Sequence, residues 1–433
     1  MADVTVSDNP REARQANEHV ADLMAFIEAS PSSYHAAAEV AARLAAVGYT
    51  EQRETDPWDA EPGGHYLVRD GAVVAWWVPD RVGERSGFRI VGAHTDSPGF
   101  KLKPEPTTGA VGWQQAGMEV YGGPLPNSWL DREFGLAGRL VTTDGRQVLV
   151  ATPPWLRIPQ VAPHLDRSVG ESLKLDKQAH LLPVFSVGRP GLDLLALVAE
   201  QAGLDRADVA AHDLFAAVAE RPAVFGPRSE FLAAGRLDNL SSVHAGLVAL
   251  LAAEEGDDVL VLACFDHEEV GSGSRSGAAG PLLEQVLARL AVSLGLGPDA
   301  YQRMLARSTC ISADAGHAIH PNYASLHDPD HRPLLNAGPL LKTNANLRYT
   351  SDAASGALWR RACRVADVPV QVFVSNNAVP CGSTIGPMTA ERLGVVMCDV
   401  GIPLLSMHST RELAGTRDPG WLAAALTAYF SGA

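Results

Sequence analysis

Beyond Gly235 the chain switches repeatedly between two hydrophobic periodicities, and that alternation limits its folding options more than any other feature. SSVHAGLVALLAAEE at 241–255 spaces its apolar residues along one helical face, whereas VLVLACF at 259–265 is apolar throughout, as a strand buried on both faces must be. PLLEQVLARLAVSLG at 281–295 is helical again, and VPVQVFV at 368–374 is a further strand. Such alternation predicts an α/β fold with a largely parallel sheet. Upstream, residues 17–47 read as two helices parted at Pro31 and closed by Gly48. HYLVRDGAVVAWWVP at 65–79 predicts a hairpin turning at Asp70-Gly71, and FRIVGAH at 88–94 a buried strand nearer the sheet centre.

Between 104 and 232 the texture changes. Gly122, Gly123, Pro124, Pro126, Pro153, Pro154, Pro159 and Pro163 separate short alternating strands such as GRLVTT and QVLVATP. This predicts a mostly β insertion, with one helix in GLDLLALVAEQAGL at 191–204. A discontinuous unit, 1–103 with 233–433, would then carry the α/β layer. At 46% hydrophobic residues, a chain of 433 can bury a sizeable core. Its formal charge of −15 disfavours nucleic acid and anionic membrane surfaces as partners.

Five scattered cysteines without a C-x-x-C pair disfavour a disulfide framework and a thiolate zinc site, and fit a reducing cytoplasm. The opening MADVTVSDNPREARQANEHV lacks the charged-then-apolar pattern of a signal peptide, and no run reaches the ~20 apolar residues a bilayer span requires.

The informative polar residues stand where predicted strands end, which is where open α/β sheets bind ligands. His94 and Asp96 follow FRIVGA, two residues apart, so the carboxylate can orient the imidazole or simply hydrogen-bond within a loop. Asp238 opens the helix after GRL, where it can act as an N-cap or bridge two cations. Glu268 and Glu269 follow a buried strand, and their mutual repulsion calls for a positive partner. If that partner is a metal, one glutamate can ligate it while the other takes a proton. Asp314 lies near His317, His320 and His327, and His408 ends another apolar run.

Carboxylates with imidazoles suit Zn, Mn or Co. A G-x-S-x-G elbow, a P-loop and H-E-x-x-H are all missing from the sequence, which leaves nucleophilic catalysis at Cys381-Gly382-Ser383-Thr384 a weak reading.

Taken in order, GAHTDSPGFKLKP, GRLDNLSSV, DHEEVGSGS, SADAGHAIHPNY, PCGSTIGP and MHSTRE resemble the aspartyl aminopeptidase family of dinuclear zinc exopeptidases, which remove acidic amino-terminal residues. The resemblance implies a three-layer α/β/α sandwich with an inserted β dimerisation or lid domain, and dimers assembling to a tetrahedral dodecamer. It implies that His94 and Asp314 hold one zinc, that Glu269 and His408 hold the other, and that Asp238 bridges them. Glu268 becomes the general base and Asp96 the group that orients His94. His164, in QVAPHLDRS, becomes a residue reaching a neighbouring subunit's site, as oxyanion donor or metal ligand.

A chain of charge −15 that binds an acidic side chain needs a local cation. Lys342 and Arg348, in GPLLKTNANLRYTSD, are the candidates, and the resemblance places Lys342 against the substrate's carboxylate, with His317 and His320 nearby. VSNNAVPCGSTIGP departs from the family pattern at Asn376 or Asn377, where an acid is usual. A dinuclear aminopeptidase of another side-chain preference and a non-catalytic shell member are the alternatives.

Overall fold

The computed structural model describes residues 10–58 and 61–433, so the first nine residues of the opening segment expected to lack a signal-peptide pattern lie outside the described part. Two helices, Pro10–Ala29 and Ser33–Ala46, flank Pro31 as expected, and Gly48 takes a left-handed φ of 91° beyond the second. The Ser32 side chain caps that second helix by accepting the His35 amide.

A nine-stranded sheet organises the α/β part. Its spatial order is Thr50–Glu51, Gly63–Arg69, Ala72–Val78, Val259–Phe265, Phe88–His94, Thr309–Ala313, Val396–Gly401, Leu340–Thr343 and Gln371–Val374. The four strands from Val259–Phe265 to Val396–Gly401 run parallel. The hairpin on one flank and Leu340–Thr343 on the other join antiparallel, so the sheet is mixed at its margins. Because the central strands point the same way, their carboxyl ends align, with Phe265 in register with His94.

Side chains alternate across this sheet and feed two separate cores. Val91, Ala93, Leu260 and Leu262 pack with residues of the helices Pro10–Ala29, Ser33–Ala46, Leu237–Ala252, Ala353–Val365 and Asp418–Phe430. Phe88, Ile90, Val259 and Val261 pack with Leu282–Ser293, Pro298–Arg307 and Ile385–Leu393. Strands buried on both faces read as continuous apolar runs, which explains VLVLACF.

A second sheet of seven strands spans 99–218 and has its own core, capped by the helix Leu194–Gln201. Val209–Val218 pairs with both Gly99–Thr108 and Glu133–Thr142, which closes the sheet on itself. Its first strand already begins at Gly99. Ala223–Phe225 and Phe231–Ala234 leave it for a five-stranded sheet with Glu412–Gly415, Pro403–Leu405 and Gly316–His317. That third sheet carries the turn containing His408 towards the strand ends.

Candidate metal centre

His94 at its strand end, Glu269 in the loop after Val259–Phe265 and His408 in the third sheet's turn converge on Asp238. His94 closes its strand fully buried, with Nε2 3.3 Å from Asp238 Oδ1. His408 Nε2 stands 3.5 Å from Asp238 Oδ2 and 3.6 Å from Glu269 Oε2. Donor atoms of His94, Asp238 and Glu269 all lie within 4.8 Å of one another.

Local structure aims each group. Asp238 does not cap its helix: Arg236 holds the cap position at a left-handed φ of 61°, and Asp238 keeps non-helical angles. Its carboxylate is thereby turned to the imidazoles rather than to backbone amides. Ser97 Oγ donates to the Asp238 carbonyl, and Asn239 Nδ2 to the Ala313 carbonyl, which ties this turn to two strand ends. Asp314 follows Thr309–Ala313 so closely against the next strand that a Cβ at Gly401 would lie 1.7 Å from its carbonyl. Lys342 Nζ reaches Asp314 Oδ1 at 3.7 Å, donates to Ala315 O at 2.8 Å and lies 5.2 Å from the Tyr349 ring centre.

Asp96 is the hub beside the cluster. Its oxygens accept the Glu268 amide at 3.0 Å, the Glu269 amide at 3.1 Å and the Tyr121 hydroxyl at 2.8 Å. His94 Nδ1 lies 3.4 Å from Asp96 Oδ1 and 3.0 Å from the Asp96 carbonyl. Glu412, buried, accepts the Asp238 amide at 2.9 Å and the His408 amide at 2.7 Å. Gly123 O accepts His408 Nδ1 at 3.0 Å, leaving Nε2 for the cluster.

The electrostatics of so many buried acids are unbalanced. Burial, with Asp314, Asp238 and Asp96 beside it, pushes Glu268 up to about 7. Burial and Asp238 push Glu269 well above the usual range, and burial lifts Asp314 to about 6 despite Lys342. Burial likewise raises Glu412 to about 8. Burial opposes charge on His94, yet Asp238 and Asp96 outweigh it and hold its imidazole well above its ordinary value.

Among the described residues, buried Asp238 Oδ1 has no hydrogen bond, its 3.3 Å approach to His94 Nε2 being an ion-pair distance only. An orphaned carboxylate oxygen among two imidazoles and further carboxylates fits a divalent cation of the zinc type, whose charge would compensate these acids.

Other sequence-derived candidates lie apart. His317 and His320 line a neighbouring cavity of about 290 Å3 with Tyr349, Phe373, Cys381 and Leu404. Arg348 is exposed, its Nε on the Gly382 carbonyl. His164 is exposed in the second sheet's long connection, and among the described residues no hydrogen bond or ion pair joins it to the cluster within one protomer. Asn376, at the departure from the family pattern, donates to the Ser325 and His327 carbonyls, bonds that a carboxylate could not make. Sequence reasoning missed Tyr121, Gly123 and Glu412; YGG after a strand and the acid four residues beyond His408 were the available signals.

Fold and donor set define a class, α/β proteins with a buried cluster of imidazole and carboxylate donors, suited to a metal, at parallel strand ends. The chain belongs to the aminopeptidase I zinc metalloprotease family, M18, whose model matches residues 26–430. It is 52% identical to a probable M18 family aminopeptidase 2 of Streptomyces coelicolor over 420 residues, 95% of this chain and 97% of that one. Among solved structures, it resembles Ape4 in its complex with Nbr1, with TM-score 0.93, 33% identity, and 98% of this chain and 87% of that one covered. It also resembles the yeast mApe1 dodecamer, with TM-score 0.84, 27% identity and 96% and 97% coverage. Among the described residues no helix is long and apolar enough to cross a membrane.

Proposed function

We propose that the protein is a dinuclear zinc aminopeptidase that removes acidic residues, Asp and Glu, from the amino termini of peptides. The observation that carries this reading is the convergence of His94, Asp238 and Glu269 donor atoms within 4.8 Å, beside a second glutamate. His94 and Asp314 would hold one ion and Glu269 and His408 the other, with Asp238 shared between them; Mn or Co suits the same donors. Zinc in such a site supplies Lewis-acid polarisation of a peptide carbonyl and a water acidified towards neutrality.

Glu268 is the general base: its carboxylate takes the attacking water's proton and passes it to the departing amine as the C–N bond breaks. Asp96 fixes the His94 ring and, through its bonds to both glutamate amides, the direction of the Glu268 side chain. In this reading Lys342 pairs with the substrate's acidic side chain, His317 and His320 contact substrate from the neighbouring cavity, Arg348 is a surface cation at its outer side, and His164 reaches a neighbouring protomer's oxyanion. A homo-oligomer is part of this reading, supported by likeness to the mApe1 dodecamer, and so is a cytoplasmic location.

We assign 1–103 and 233–433 to a catalytic α/β/α sandwich and 104–232 to an inserted dimerisation domain; separate cores support two such units, while Phe100 and Leu102 packing in the insertion's core and Leu232 in the sandwich's put the junctions nearer Gly99 and Val218.

One observation favours a second preference. The Lys342 ammonium is already engaged by Ala315 O and Asp314, and Tyr349, Phe373 and Leu404 make the neighbouring cavity partly apolar, which suits a neutral side chain. A non-catalytic shell is disfavoured by the intact donor set. Metal analysis combined with turnover of Asp-, Leu- and Ala-linked chromogenic amides tests all of this. Two zincs and a preference for Asp are expected; fast turnover of Leu alone would transfer the assignment to the neutral preference, and a zinc-loaded protein inert on all three would refute the enzyme.

A further inference from the structure

We propose that Tyr121, with the Gly122-Gly123 turn that follows it, is a positioning element by which the seven-stranded sheet sets the geometry of the metal centre. The inference rests on the metal assignment above and concerns residues to which that assignment gives no part in holding metal or substrate. Tyr121 ends the strand Trp113–Tyr121, and the next two residues run directly behind the cluster.

Three contacts in three consecutive residues carry the argument. The Tyr121 hydroxyl donates to Asp96 Oδ2, the oxygen that also accepts the Glu269 amide, while the other oxygen accepts the Glu268 amide and faces His94. Gly122 lies in the left-handed region at φ 67°, and a Cβ there would meet Glu269 Cβ and O at 3.1 Å. Gly123 O accepts a hydrogen bond from His408 Nδ1, and the Leu125 amide donates to the His408 carbonyl at 3.0 Å. One short strap from a different sheet thus touches Asp96, Glu269 and His408.

Rotation of a ligating imidazole or of the loop bearing two glutamates misaligns lone pairs, and outer hydrogen bonds of this kind typically govern metal affinity. The Tyr121 ring itself is held edge-on to Phe215, 5.2 Å between centres, so its hydroxyl can be deleted without removing that packing.

The test is Tyr121→Phe in the full chain, read by zinc competition against a chromogenic chelator and by the visible spectrum of the cobalt-substituted protein. Zinc binding should weaken by about 10- to 100-fold, the cobalt bands should shift, and kcat at saturating zinc should fall more than KM changes. Gly122→Ala, which presses on Glu269, should move zinc affinity and the cobalt bands in the same sense and serves if the first variant folds poorly. Unchanged zinc affinity and an unchanged cobalt spectrum in the folded variants would overturn the proposal, even if the melting temperature dropped, because packing alone would explain the strap. Wild-type protein that took up no zinc would refute the metal assignment instead.

Discussion

Replacing Lys342 with methionine separates the two substrate preferences. The side chain is 1% exposed, its ammonium shared between the Ala315 carbonyl at 2.8 Å and Asp314 at 3.7 Å. Methionine keeps most of the apolar stem and removes the charge. At about 4 Å, two unit charges in a protein-like dielectric interact by ~4 kcal/mol, within the ~2–5 kcal/mol measured for losing one partner of a buried charge pair. An Asp-linked substrate whose carboxylate meets Lys342 should therefore lose roughly 30-fold to several thousandfold in kcat/KM. The lost bond to Ala315 O costs about 1 kcal/mol, and every substrate feels it alike.

The assay is kcat/KM on Asp-, Leu- and Ala-linked amides, with zinc content measured on the same samples because Asp314 loses its neighbouring cation. The Asp-to-Ala selectivity should collapse while zinc stays bound. Equal losses on all substrates would refute the reasoning and assign Lys342 to Asp314 and the fold.

Glu268→Gln should lower kcat by about 100-fold or more with zinc content unchanged, since an amide cannot take the proton. Glu269→Gln should lose zinc instead, and the reverse pattern on elemental analysis would exchange the two roles. Asp418, buried, accepts the Asn336 and Gly338 amides, and burial raises it to about 7. A carboxyl raised in the folded state holds a proton there that the unfolded chain has released, so its contribution to stability is lost as pH rises from about 4 to 7. Asp418→Asn should flatten urea-derived stability across that window by up to about 4 kcal/mol, and parallel wild-type and variant curves would remove Asp418 as the cause.

The sequence made legible whatever depended on local periodicity or on position at a strand end. VLVLACF and FRIVGAH are strands because both faces are covered, and the groups just beyond them are the ones that converge. The hairpin at Asp70 was readable from its turn chemistry, and Asp70 does take a left-handed φ of 56°. Pairing between distant segments was not readable: nothing in AVF at 223–225 or ELAG at 412–415 announces a common sheet. Asp238 shows the limit of local rules, since its N-cap propensity is overridden by two imidazoles that arrive from residues 94 and 408. Tyr121 and Glu412 were invisible for the same reason, because their importance lies in which amides and carboxylates they meet across the fold.

The convergence on Asp238 also has a consequence in time. More than three hundred residues separate His94 from His408, and Glu412 lies later still. At about 5–20 residues per second of synthesis, tens of seconds pass between the emergence of the first donor and the last. During that interval His94, Asp238, Glu269 and Asp314 are already made, but the turn that supplies His408 and the Glu412 carboxylate does not yet exist. On the proposed assignment no nascent fragment can hold the full donor set, which is complete only once the turn before Glu412–Gly415 is made and that strand has joined Phe231–Ala234. A chain stalled before residue 408 would bear the buried acids without the second imidazole and without the Glu412 carboxylate that accepts the Asp238 amide.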